Sequence, residues 1–596
     1  MHLSQIKISG FRNFKNATIN LNKKTLLIGP NDIGKSNLIH ALRLLLDRGL
    51  SELAIEPKDT DFYAFEETNH IIISLKFEGI NEECVLAKFK GQVSDTGVLY
   101  LQYLATREPQ TAQKSYQLMA GRSEDDLQEV TRAYTKALNL NYIDSNRDLS
   151  TYIRHQKKAL LQDSRERRSA EEVREDDAKI KQVGTSLDGI NKEVSNLTFI
   201  KNATQNINDE LDNLSFHNSI QSVQFDSGAS NPEEFIDSLQ LVSRVGDKAI
   251  TVGGDGRNNQ IFLAIWASRN SRQPPTPTQV TIYCIEEPEA HLHPHQQRKL
   301  ATYLADVLPG QVVITTHSPQ IACEFPPGSI ARLHRDSGGG ALAANDGCAE
   351  LVEKPFCDFG YRLNILPAEA FFSNVVFLVE GPSEVLLYKA LAKACEVDLD
   401  RLNISILMVD GVGFQTYVDV LDVLRIPVVV RTDLDIIKLP KKTTFRCAGL
   451  ERAFAICRGM DSRKSIADKY KDDMSKLTEL ASAMIPATMD QLIAQMRSDL
   501  EEAGIFVSNK DLETDLANTP ISTVLAEHHG TDSMPALVEA MQDRKATSMF
   551  EFLVKYGHGE ELKKLQDTSL AKPLLRCRKI SEQVDAGTNR RAATNT

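Results

Sequence analysis

Short apolar runs and longer stretches of helical periodicity alternate along the first part of the chain. Residues 25–28 are a short apolar run that ends at a glycine, which predicts a buried strand. Residues 37–50 have apolar side chains at helical spacing, which predicts an amphipathic helix soon afterwards. Further strands are expected at residues 71–77 and 98–104. The pattern therefore predicts an α/β fold with a strand–loop–helix unit near its start.

A polar stretch at residues 149–245 interrupts this alternation. Its charges are mixed, its composition permits helix, and its apolar residues are too sparse for a sheet. We expect a helical insertion with an irregular linker near residues 163–180. Two interpretations of the insertion stay open, a solvated helical surface or a dimerisation arm.

Strand–helix alternation returns after the insertion and then begins a second time. Residues 280–285 and 312–315 predict strands, each followed by a helix. A second parallel sheet is predicted from three more apolar runs, at residues 375–379, 404–409 and 428–432. The chain beyond Thr444 is expected to be mostly helical, up to a loose tail near its end.

Composition fits a folded globular protein and excludes several other classes. The 596 residues are 41% hydrophobic and 25% charged, which is ordinary for such proteins. The net charge of −12 means that contact with nucleic acid would need a local basic patch. The nine cysteines contain no CxxC pair, so neither zinc fingers nor a disulfide framework is expected. With no signal-like start and no long apolar run, we expect a cytoplasmic protein without a membrane segment.

The predicted strand–loop–helix unit carries a phosphate-binding motif. Residues 29–36, Gly-Pro-Asn-Asp-Ile-Gly-Lys-Ser, match GxxxxGK[ST] between a strand and a helix. Glycines let backbone N–H groups wrap phosphate oxygens, and the helix N-terminus adds a favourable field. Lys35 would reach the β- and γ-phosphates, and Ser36 would bind Mg²⁺. The residues expected to contact ATP in this loop are Asn31, Gly34, Lys35, Ser36 and Asn37.

Two later strand ends add side chains suited to the same nucleotide. The strand at residues 280–285 delivers Glu286 and Glu287 at its carboxyl end. Because neighbouring residues of a strand point to opposite faces, the two acids are expected to do different work. Glu286 would hold the Mg²⁺ shell, and Glu287 would polarise an attacking water. His317 ends the strand at residues 312–315 and is expected to contact the γ-phosphate.

A second site is predicted at the edge of the second sheet. Glu380 follows one apolar run, and Asp433 and Asp435 follow another about fifty residues later. If the two strands are parallel neighbours, these three acids converge at one edge of the sheet. Close carboxylates repel one another, and we expect bound divalent cations alone to relieve that repulsion. Hard oxygen ligands select Mg²⁺ or Mn²⁺.

The first set of motifs resembles the ABC-type ATPase heads of the RecF and SMC class. The resemblance rests on the phosphate loop, on the Glu-Glu-Pro-Glu strand end at residues 286–289, and on Thr-His-Ser at 316–318. Gly254 and Gly256 stand where that class keeps its signature loop, which contacts the nucleotide of an opposing subunit. The resemblance therefore implies a dimer. Gly254 stands in place of the usual signature serine, so a hydroxyl donor is missing. We expect this loss to impair ATP hydrolysis more than ATP binding.

The second set resembles the Toprim fold of topoisomerases, primases and certain nucleases. An ATPase head followed by Toprim is similar to the overcoming-lysogenization-defect (OLD) family, over nearly the whole chain. The motifs look closest to the nuclease subunits of Gabija antiphage systems. That likeness implies further metal ligands at Glu384 and Asp511, with Glu513 as an additional one, and it implies that Lys545 stabilises charge on a phosphate.

The resemblance also implies a division of the chain. An ATPase head with a helical insertion is expected to precede an α/β Toprim domain with C-terminal helical elements. The expected segments are residues 1–148 and 246–345 for the two parts of the head, 149–245 for the insertion, 346–585 for the Toprim domain and its helical extension, and 586–596 for a flexible tail.

The resulting hypothesis is an ATP-regulated, metal-dependent DNA endonuclease in antiphage defence. The acids alone indicate a phosphodiester substrate; DNA, a homodimer or tetramer, and a UvrD-like helicase partner are implied by the family. A local basic set is a candidate for DNA contact: Lys438, Lys441, Lys442, Arg446, Arg452, Arg458, Arg463 and Lys464. Two alternatives stay open, a RecF-like repair ATPase with a non-cleaving Toprim domain and a ribonuclease with the same metal site.

Overall fold

The computed structural model divides the chain into two compact units. It describes residues 1–145, 157–158, 160–162, 164–214, 231–239, 242–245, 248–251, 261, 264–265, 279–308, 310–336, 338–348, 368–409, 411, 413–557 and 560–592. One unit comprises Met1–Ser145, Pro275–Glu289 and Pro294–Thr596, and the other comprises Asn146–Pro274 with Ala290–His293. The predicted bounds of the head, the insertion and the Toprim domain stay predictions.

Within the described ranges, twenty strands form five sheets. In chain order they are β1 His2–Phe11, β2 Phe14–Asn20, β3 Lys24–Ile28, β4 His70–Glu78, β5 Leu99–Arg107, β6 Lys114–Ser123, β7 Asp126–Glu129, β8 Leu138–Ile143, β9 Val242–Val245, β10 Lys248–Thr251, β11 Val280–Glu286, β12 Gln311–Thr315, β13 Ile330–Arg335, β14 Ala341–Ala343, β15 Val375–Val379, β16 Ile404–Met408, β17 Val428–Thr432, β18 Ile436–Lys438, β19 Phe445–Cys447 and β20 Ile505–Val507. The α/β class predicted from the sequence is confirmed.

The first helix follows the apolar spacing predicted for residues 37–50. The α-helices of the larger unit are Lys35–Leu46, Glu52–Ile55, Glu83–Lys88, Pro294–Thr302, Pro319–Ala322, Pro382–Ala394, Phe414–Val423, Ala448–Gly459, Lys464–Lys469, Lys471–Leu477, Asp490–Glu502, Leu512–Ala517, Ser522–His529, Met534–Asp543, Lys545–Tyr556, Glu560–Lys563 and Lys572–Ala592. In the part of the chain that the structure describes, no helix combines the length and apolar character needed to cross a bilayer.

Two sheets build the head. An antiparallel sheet has the order β2-β1-β4-β5-β6-β7, and a mostly parallel sheet has the order β14-β13-β3-β12-β11-β8. Strands β3 and β12 lie inside the second sheet and are almost wholly buried, as parallel strands covered on both faces are. Because β3, β11 and β12 are parallel neighbours, the residues that follow them meet at one edge of the sheet.

The second predicted sheet, called the Toprim sheet after the resemblance that predicts it, is a separate parallel sheet with the order β16-β15-β17-β20. All residues of β15 and β17 are buried, and the two strands pair directly, with Val376 opposite Val428. Both strands were predicted with these bounds, because their Val-rich runs end sharply at charged residues. Glu380 and Asp433 therefore follow adjacent parallel strands, as the sequence predicts.

The smaller unit is helical with one β-hairpin. Its described helices are Ala170–Ser195, Thr198–Leu214 and Pro232–Ser238, and β9 pairs with β10. The predicted linker at residues 163–180 is wrong from Ala170 onward. Ser169 caps that helix by accepting from the backbone N–H of Glu172, whose side chain accepts from the backbone N–H of Ser169. This capping box starts a helix that the sequence pattern did not predict, because the surrounding residues are mostly charged and show no apolar periodicity.

The predicted tail also differs from the structure. The helix Lys572–Ala592 includes residues 586–592, where we expected irregular chain. Its first half is anchored by buried Leu574, Cys577 and Ser581, and Ser581 Oγ donates to Leu402 O at 2.6 Å. A helix already nucleated by packing continues at little cost, even without apolar periodicity.

One buried arginine joins the head sheet to the Toprim sheet. Arg332 of β13 is 3% exposed and donates to four backbone carbonyls, at 3.1 Å to Phe371, 3.2 Å to Ser373, 3.0 Å to Leu424 and 3.3 Å to Arg425. Within its own sheet it lies opposite the last residue of β3, next to the phosphate loop. The four carbonyls precede β15 and β17, so this side chain fixes the entry to the two strands that carry the acids.

Replacing this guanidinium is expected to destabilise the protein. Arg332→Met would leave buried carbonyls without a donor, which costs about 2–4 kcal/mol in free energy of unfolding. Denaturant unfolding of the variant measures that loss. Arg401→Met, at an exposed position, is the matched control and should change the free energy by less than about 0.5 kcal/mol. Equal stability of the two variants would show that the Arg332 contacts contribute nothing.

Candidate active sites: a phosphate loop and an acidic sheet edge

The phosphate loop lies between β3 and the helix that begins at Lys35. Gly34 has φ of 102°, and a Cβ there would lie 2.4 Å from Asn13 Nδ2, so only glycine fits. Asn13 Nδ2 also donates to Ile33 O at 2.7 Å, which braces the loop from the strand side. Glycine thus sets the turn that a phosphate cradle needs.

Lys35 and Ser36 occupy the positions expected of nucleotide-binding residues. Lys35 Nζ donates to the carbonyls of Gly29 and Pro30, both at 2.9 Å. Burial lowers the pKa of Lys35 to about 8, while the field of Glu287 opposes that shift. Ser36 Oγ donates to the carboxylate of Glu286 at 2.9 Å. The structure therefore brings a hydroxyl and an acid together where both are predicted to serve the same Mg²⁺.

The other predicted loop residues differ in their contacts. Asn37 Nδ2 donates to Asn13 Oδ1 at 2.8 Å, and Asn37 Oδ1 accepts from Arg12 Nη1 at 3.0 Å. Asn31 is exposed. Asn37 is thus held by protein partners at both ends of its amide. Gly254 and Gly256, predicted for the signature loop, lie outside the described residues.

Glu286 and Glu287 are separated as predicted, and a third acid joins them. Glu286 is buried, and burial raises its pKa. Glu287 follows the strand with φ of 42°, is half-exposed, and lies 3.7 Å from His317 Nε2. Glu289 accepts from Thr316 Oγ1 and from the backbone N–H of His317, both at 2.7 Å. Sequence reasoning gave Glu289 no task, yet it positions the histidine loop.

The three acids of the Toprim sheet converge at its carboxyl edge. Glu380 Oε1 accepts from Thr432 Oγ1 at 2.6 Å and from the backbone N–H of Asp433 at 2.8 Å. Ser508 Oγ, which follows β20, donates to Asp433 Oδ1 at 3.2 Å. Burial raises the pKa of Asp433 to about 8, Arg431 opposes this shift and Glu380 adds to it. Ser508 carries no motif, so sequence reasoning missed it.

Two arginines neutralise this edge, which corrects the expectation that divalent ions alone could do so. Arg452 Nη2 donates to Asp435 Oδ2 at 2.7 Å and lies 3.2 Å from Glu380 Oε1. Arg431, 3% exposed, lies 3.9 Å from Asp433 Oδ1 on the other side. In this arrangement no group of three His, Cys, Asp or Glu side chains among the described residues is set to hold a metal ion.

The acids nevertheless suit a hard cation. Glu380 Oε2, Asp433 Oδ2 and Asp435 Oδ1 make no hydrogen bond to any described residue, so each carboxylate keeps one oxygen available. Glu513 is 4% exposed, and its Oε2 is buried without a hydrogen-bond partner in the described chain. Carboxylate oxygens of this kind are the ligands that Mg²⁺ and Mn²⁺ take.

Glu384 has less coordinating capacity left than the other acids. One oxygen accepts from Arg431 Nη1 at 2.7 Å, and the other accepts from the backbone N–H groups of Glu380 and Gly381 at 2.7 and 3.0 Å. Asp515 binds the remaining terminal nitrogen of Arg431 at 2.9 Å. These contacts fix the backbone at Glu380, so Glu384 acts as a positioning residue.

The C-terminal residues carried over by resemblance lie beside this edge. Asp511 caps the helix Leu512–Ala517 by accepting from Thr514 N at 2.7 Å, and its second oxygen accepts from Gln542 Nε2 at 2.7 Å. Burial raises the pKa of Glu513, which also feels the charges of Lys545, Asp511 and Glu384. Lys545 is exposed at the start of its helix. Glu513 thus lies within electrostatic reach of Asp511, Lys545 and Glu384, and Lys510, the residue before Asp511, accepts from the backbone N–H of Leu434 at 3.0 Å.

The predicted basic set is divided between interior and surface. Arg452 binds the acids, and Arg463 Nη2 donates to Val428 O at 3.0 Å inside the domain. The remaining members that are exposed are Lys438, Lys441, Lys442, Arg458 and Lys464. DNA contact by this set would therefore rest on fewer cations than predicted.

Comparison with known proteins agrees with both halves of this geometry. A family model described as AAA ATPase domain matches residues 1–322, which include the phosphate loop and the Glu286 and His317 strand ends. The chain belongs to this AAA ATPase domain family. A second model, for the TOPRIM domain of overcoming lysogenization defect protein-like sequences, matches residues 371–435. That stretch carries Glu380, Asp433 and Asp435, so the family resemblance stated from the motifs is confirmed.

Curated relatives of this ATPase-family chain are nucleases. Endonuclease GajA of Bacillus cereus (strain VD045) is 25% identical over 533 residues, 87% of this chain and 89% of the relative. The OLD nuclease of Thermus scotoductus is 23% identical over 519 residues, 80% of this chain and 94% of the relative. Among solved structures, the C-terminal region of the Burkholderia pseudomallei OLD protein aligns with 35% of this chain and 99% of its own, at 20% identity and a TM-score of 0.20. The chain is homologous to the two nucleases, GajA and the Thermus scotoductus OLD nuclease.

A glycine at the acidic edge gives a testable consequence of this packing. A Cβ at Gly449 would lie 2.1 Å from Asp433 O and 2.4 Å from Leu434 O, so the helix start would have to move. Gly449→Ala is therefore expected to lower the free energy of unfolding by about 1–3 kcal/mol. Thermal unfolding measures the change. Gly189→Ala, where the added Cβ meets open space, is the control and should keep or raise the melting temperature. A neutral Gly449→Ala would refute the tight approach.

Proposed function

We propose that this protein is an ATP-regulated, divalent-metal-dependent DNA endonuclease of the OLD type that serves antiphage defence. The observation that carries the proposal is the acidic edge, where Glu380, Asp433 and Asp435 meet and each keeps a carboxylate oxygen without a hydrogen bond to any described residue. Acids crowded in this way on a buried sheet are poor stabilising elements and good cation ligands. The homologous nucleases named above support the same conclusion.

The residues of the acidic edge have separable tasks in this proposal. Glu380, Asp433, Asp435 and Glu513 hold Mg²⁺ or Mn²⁺. When bound, such ions activate a water and stabilise the leaving oxygen of a phosphodiester. Asp511, with both oxygens already hydrogen-bonded, shapes the loop beside the site and is a weaker candidate ligand. Lys545, exposed next to Glu513, offsets charge on the scissile phosphate.

Positioning residues hold these acids in place. Thr432 fixes the orientation of Glu380, and Ser508 fixes that of Asp433. Glu384 supports the turn after β15 through the backbone N–H groups it accepts from. Its predicted metal ligation stays a prediction, and its contacts favour the positioning task.

The head binds ATP with Mg²⁺ in this proposal. Asn31, Gly34, Lys35, Ser36 and Asn37 supply the phosphate loop, and Glu286 shares the metal with Ser36. Glu287 orients water, and His317, which Glu289 holds in place, reaches the γ-phosphate. The signature glycines Gly254 and Gly256 would close the site of a second subunit, and hydrolysis would be slow without the signature hydroxyl.

Control of cutting by the head is supported by Arg332. Its strand lies beside β3, and its four hydrogen bonds reach the entries to β15 and β17. Arg332 therefore connects the strand beside the phosphate loop directly to the two strands that end in the acids. Through this contact, nucleotide binding at the loop can alter the position of those strands. A homodimer or tetramer and a UvrD-like helicase partner belong to the proposal through the family resemblance alone, and a cytoplasmic location through the sequence features given above.

Loss of Glu380 is expected to abolish cutting. Glu380→Ala should lower cleavage of supercoiled plasmid in Mg²⁺ or Mn²⁺ by at least about 100-fold, because a ligand and its supports are lost together. The exposed Glu560→Ala, in the same domain, should cut like wild type. Cleavage of matched RNA substrates in preference to DNA would indicate a ribonuclease. ATP hydrolysis that DNA stimulates, without any cutting, would indicate the repair ATPase. Full activity of Glu380→Ala would contradict the site.

Loss of Lys35 is expected to uncouple cutting from nucleotide. Lys35→Ala removes the cation that faces the phosphates, so ATP affinity should fall at least about tenfold. Its plasmid cleavage should no longer change when ATP is added. Binding of a fluorescent ATP analogue and cleavage with and without ATP measure both effects, with the exposed Lys23→Ala as control. Cutting by Lys35→Ala that still follows ATP as in wild type would exclude the head as the sensor.

A further inference from the structure

Arg452 lies inside the acidic edge and holds it with a single nitrogen atom. Its Nη2 donates to Asp435 Oδ2 at 2.7 Å and to the carbonyl of Asp433 at 3.1 Å, and lies 3.2 Å from Glu380 Oε1. Its Nε is buried without a hydrogen-bond partner, and its Nη1 donates to no described residue. One nitrogen thus joins two carboxylates that come from different strands.

The backbone beneath this side chain is fixed. Ala448 N donates to Asp435 O and Gly449 N donates to Leu434 O, both at 2.8 Å, which docks the helix start onto the acidic loop. At Gly449 the helix backbone packs so closely against the carbonyls of Asp433 and Leu434 that a Cβ would not fit between them. If a metal ion replaces Arg452 at the acids, the Arg452 side chain is therefore the part that moves, and its stem has several rotatable bonds.

The second arginine of the edge provides the comparison. Arg431 is 3% exposed, and its two terminal nitrogens bind Glu384 and Asp515 at 2.7 and 2.9 Å. The Arg452 side chain is 10% exposed and leaves most of its donors unused. A guanidinium has five N–H donors, so a buried one with a single engaged nitrogen is weakly held. The contacts of Arg431 therefore fix its side chain in place, whereas those of Arg452 leave its side chain free to be displaced by another cation.

We propose that Arg452 is an exchangeable counter-ion of the acid site, which holds Glu380 and Asp435 together before metal binds and gives up their oxygen atoms to the incoming divalent cation. The proposal rests on the proposed function and deepens it, since it sets how tightly the site takes its metal. Both states keep the carboxylates neutralised, so the acids stay assembled whether or not the ion is present. The cost is affinity, because an ion that takes the free oxygens of Glu380 and Asp435 must still compete with the charge of Arg452 on the same carboxylates.

Titration of Mn²⁺ into the full-length protein without nucleotide tests this. Arg452→Gln removes the competing charge, so Mn²⁺ should bind about tenfold tighter than to wild type by calorimetry, a difference of about 1.4 kcal/mol. Arg452→Lys keeps a cation and should stay within about threefold of wild type. Arg458→Gln, exposed on the same helix, is the matched control and should not change affinity. Glu380→Ala identifies the heat that belongs to this site.

An Arg452→Gln protein that is folded by circular dichroism yet binds Mn²⁺ no tighter than wild type would overturn the proposal. If that variant does not fold, labelling of wild-type arginines with phenylglyoxal gives the answer. Saturating Mn²⁺ should speed the labelling of Arg452, read by mass spectrometry, while Arg431 stays protected. Unchanged or slower labelling of Arg452 would equally overturn it.

The same experiments separate this proposal from the proposed function. Metal-dependent plasmid cutting by wild type together with unchanged affinity in Arg452→Gln would refute the counter-ion alone. Absence of Mn²⁺ binding that depends on Glu380, together with absence of cutting, would refute both.

Discussion

Repulsion between carboxylates at one edge of a parallel sheet is the constraint on which the Toprim half of this protein depends. Strands β15 and β17 are wholly buried and run side by side, so the acids that follow them have no freedom to separate. Arg431 and Arg452 neutralise the cluster from two sides. Removing one member of the buried group formed by Arg431, Glu384 and Asp515 costs about 3–5 kcal/mol, so substitutions there are constrained by that balance of charge.

The head also places several charged groups close together, and it stabilises them through contacts with its phosphate loop. Its phosphate loop gathers a lysine, a hydroxyl and three acids at the edge of another parallel sheet, with Lys35 Nζ on the loop carbonyls and Ser36 on Glu286. Both halves thus place charged groups after buried strands, where backbone geometry and not side-chain attraction decides their spacing. Arg332 joins the two sheets at the opposite ends of the acid-bearing strands.

Much of this arrangement could be predicted from the sequence, because strand ends and glycine-rich turns leave strong local signals. The phosphate loop, Glu286, Glu287, His317 and the three Toprim acids all follow short apolar runs. The arginines could not be found in the same way, since Arg431 lies within a strand and Arg452 within an amphipathic helix. A charged residue in either setting is usually solvated, and only the fold shows that these two are internal.

Other differences have equally specific physical causes. Ser508 and Glu289 act through hydrogen bonds across large sequence separations, which no motif encodes. The helix from Ala170 depends on a capping box hidden among mixed charges, and residues 586–592 stay helical because the preceding turns are anchored by packing. Sequence patterns therefore located the strand ends, whereas the fold was needed to locate their supports.

The central claim is that the edge formed by Glu380, Asp433 and Asp435 binds divalent cations. Anomalous diffraction at the manganese edge, from crystals of the full-length protein grown with Mn²⁺, tests it most directly. The account predicts an anomalous peak at about 2.1 Å from carboxylate oxygens of these three residues. A map with manganese at the head alone, and with Arg452 still on Asp435 and Glu380, would contradict it.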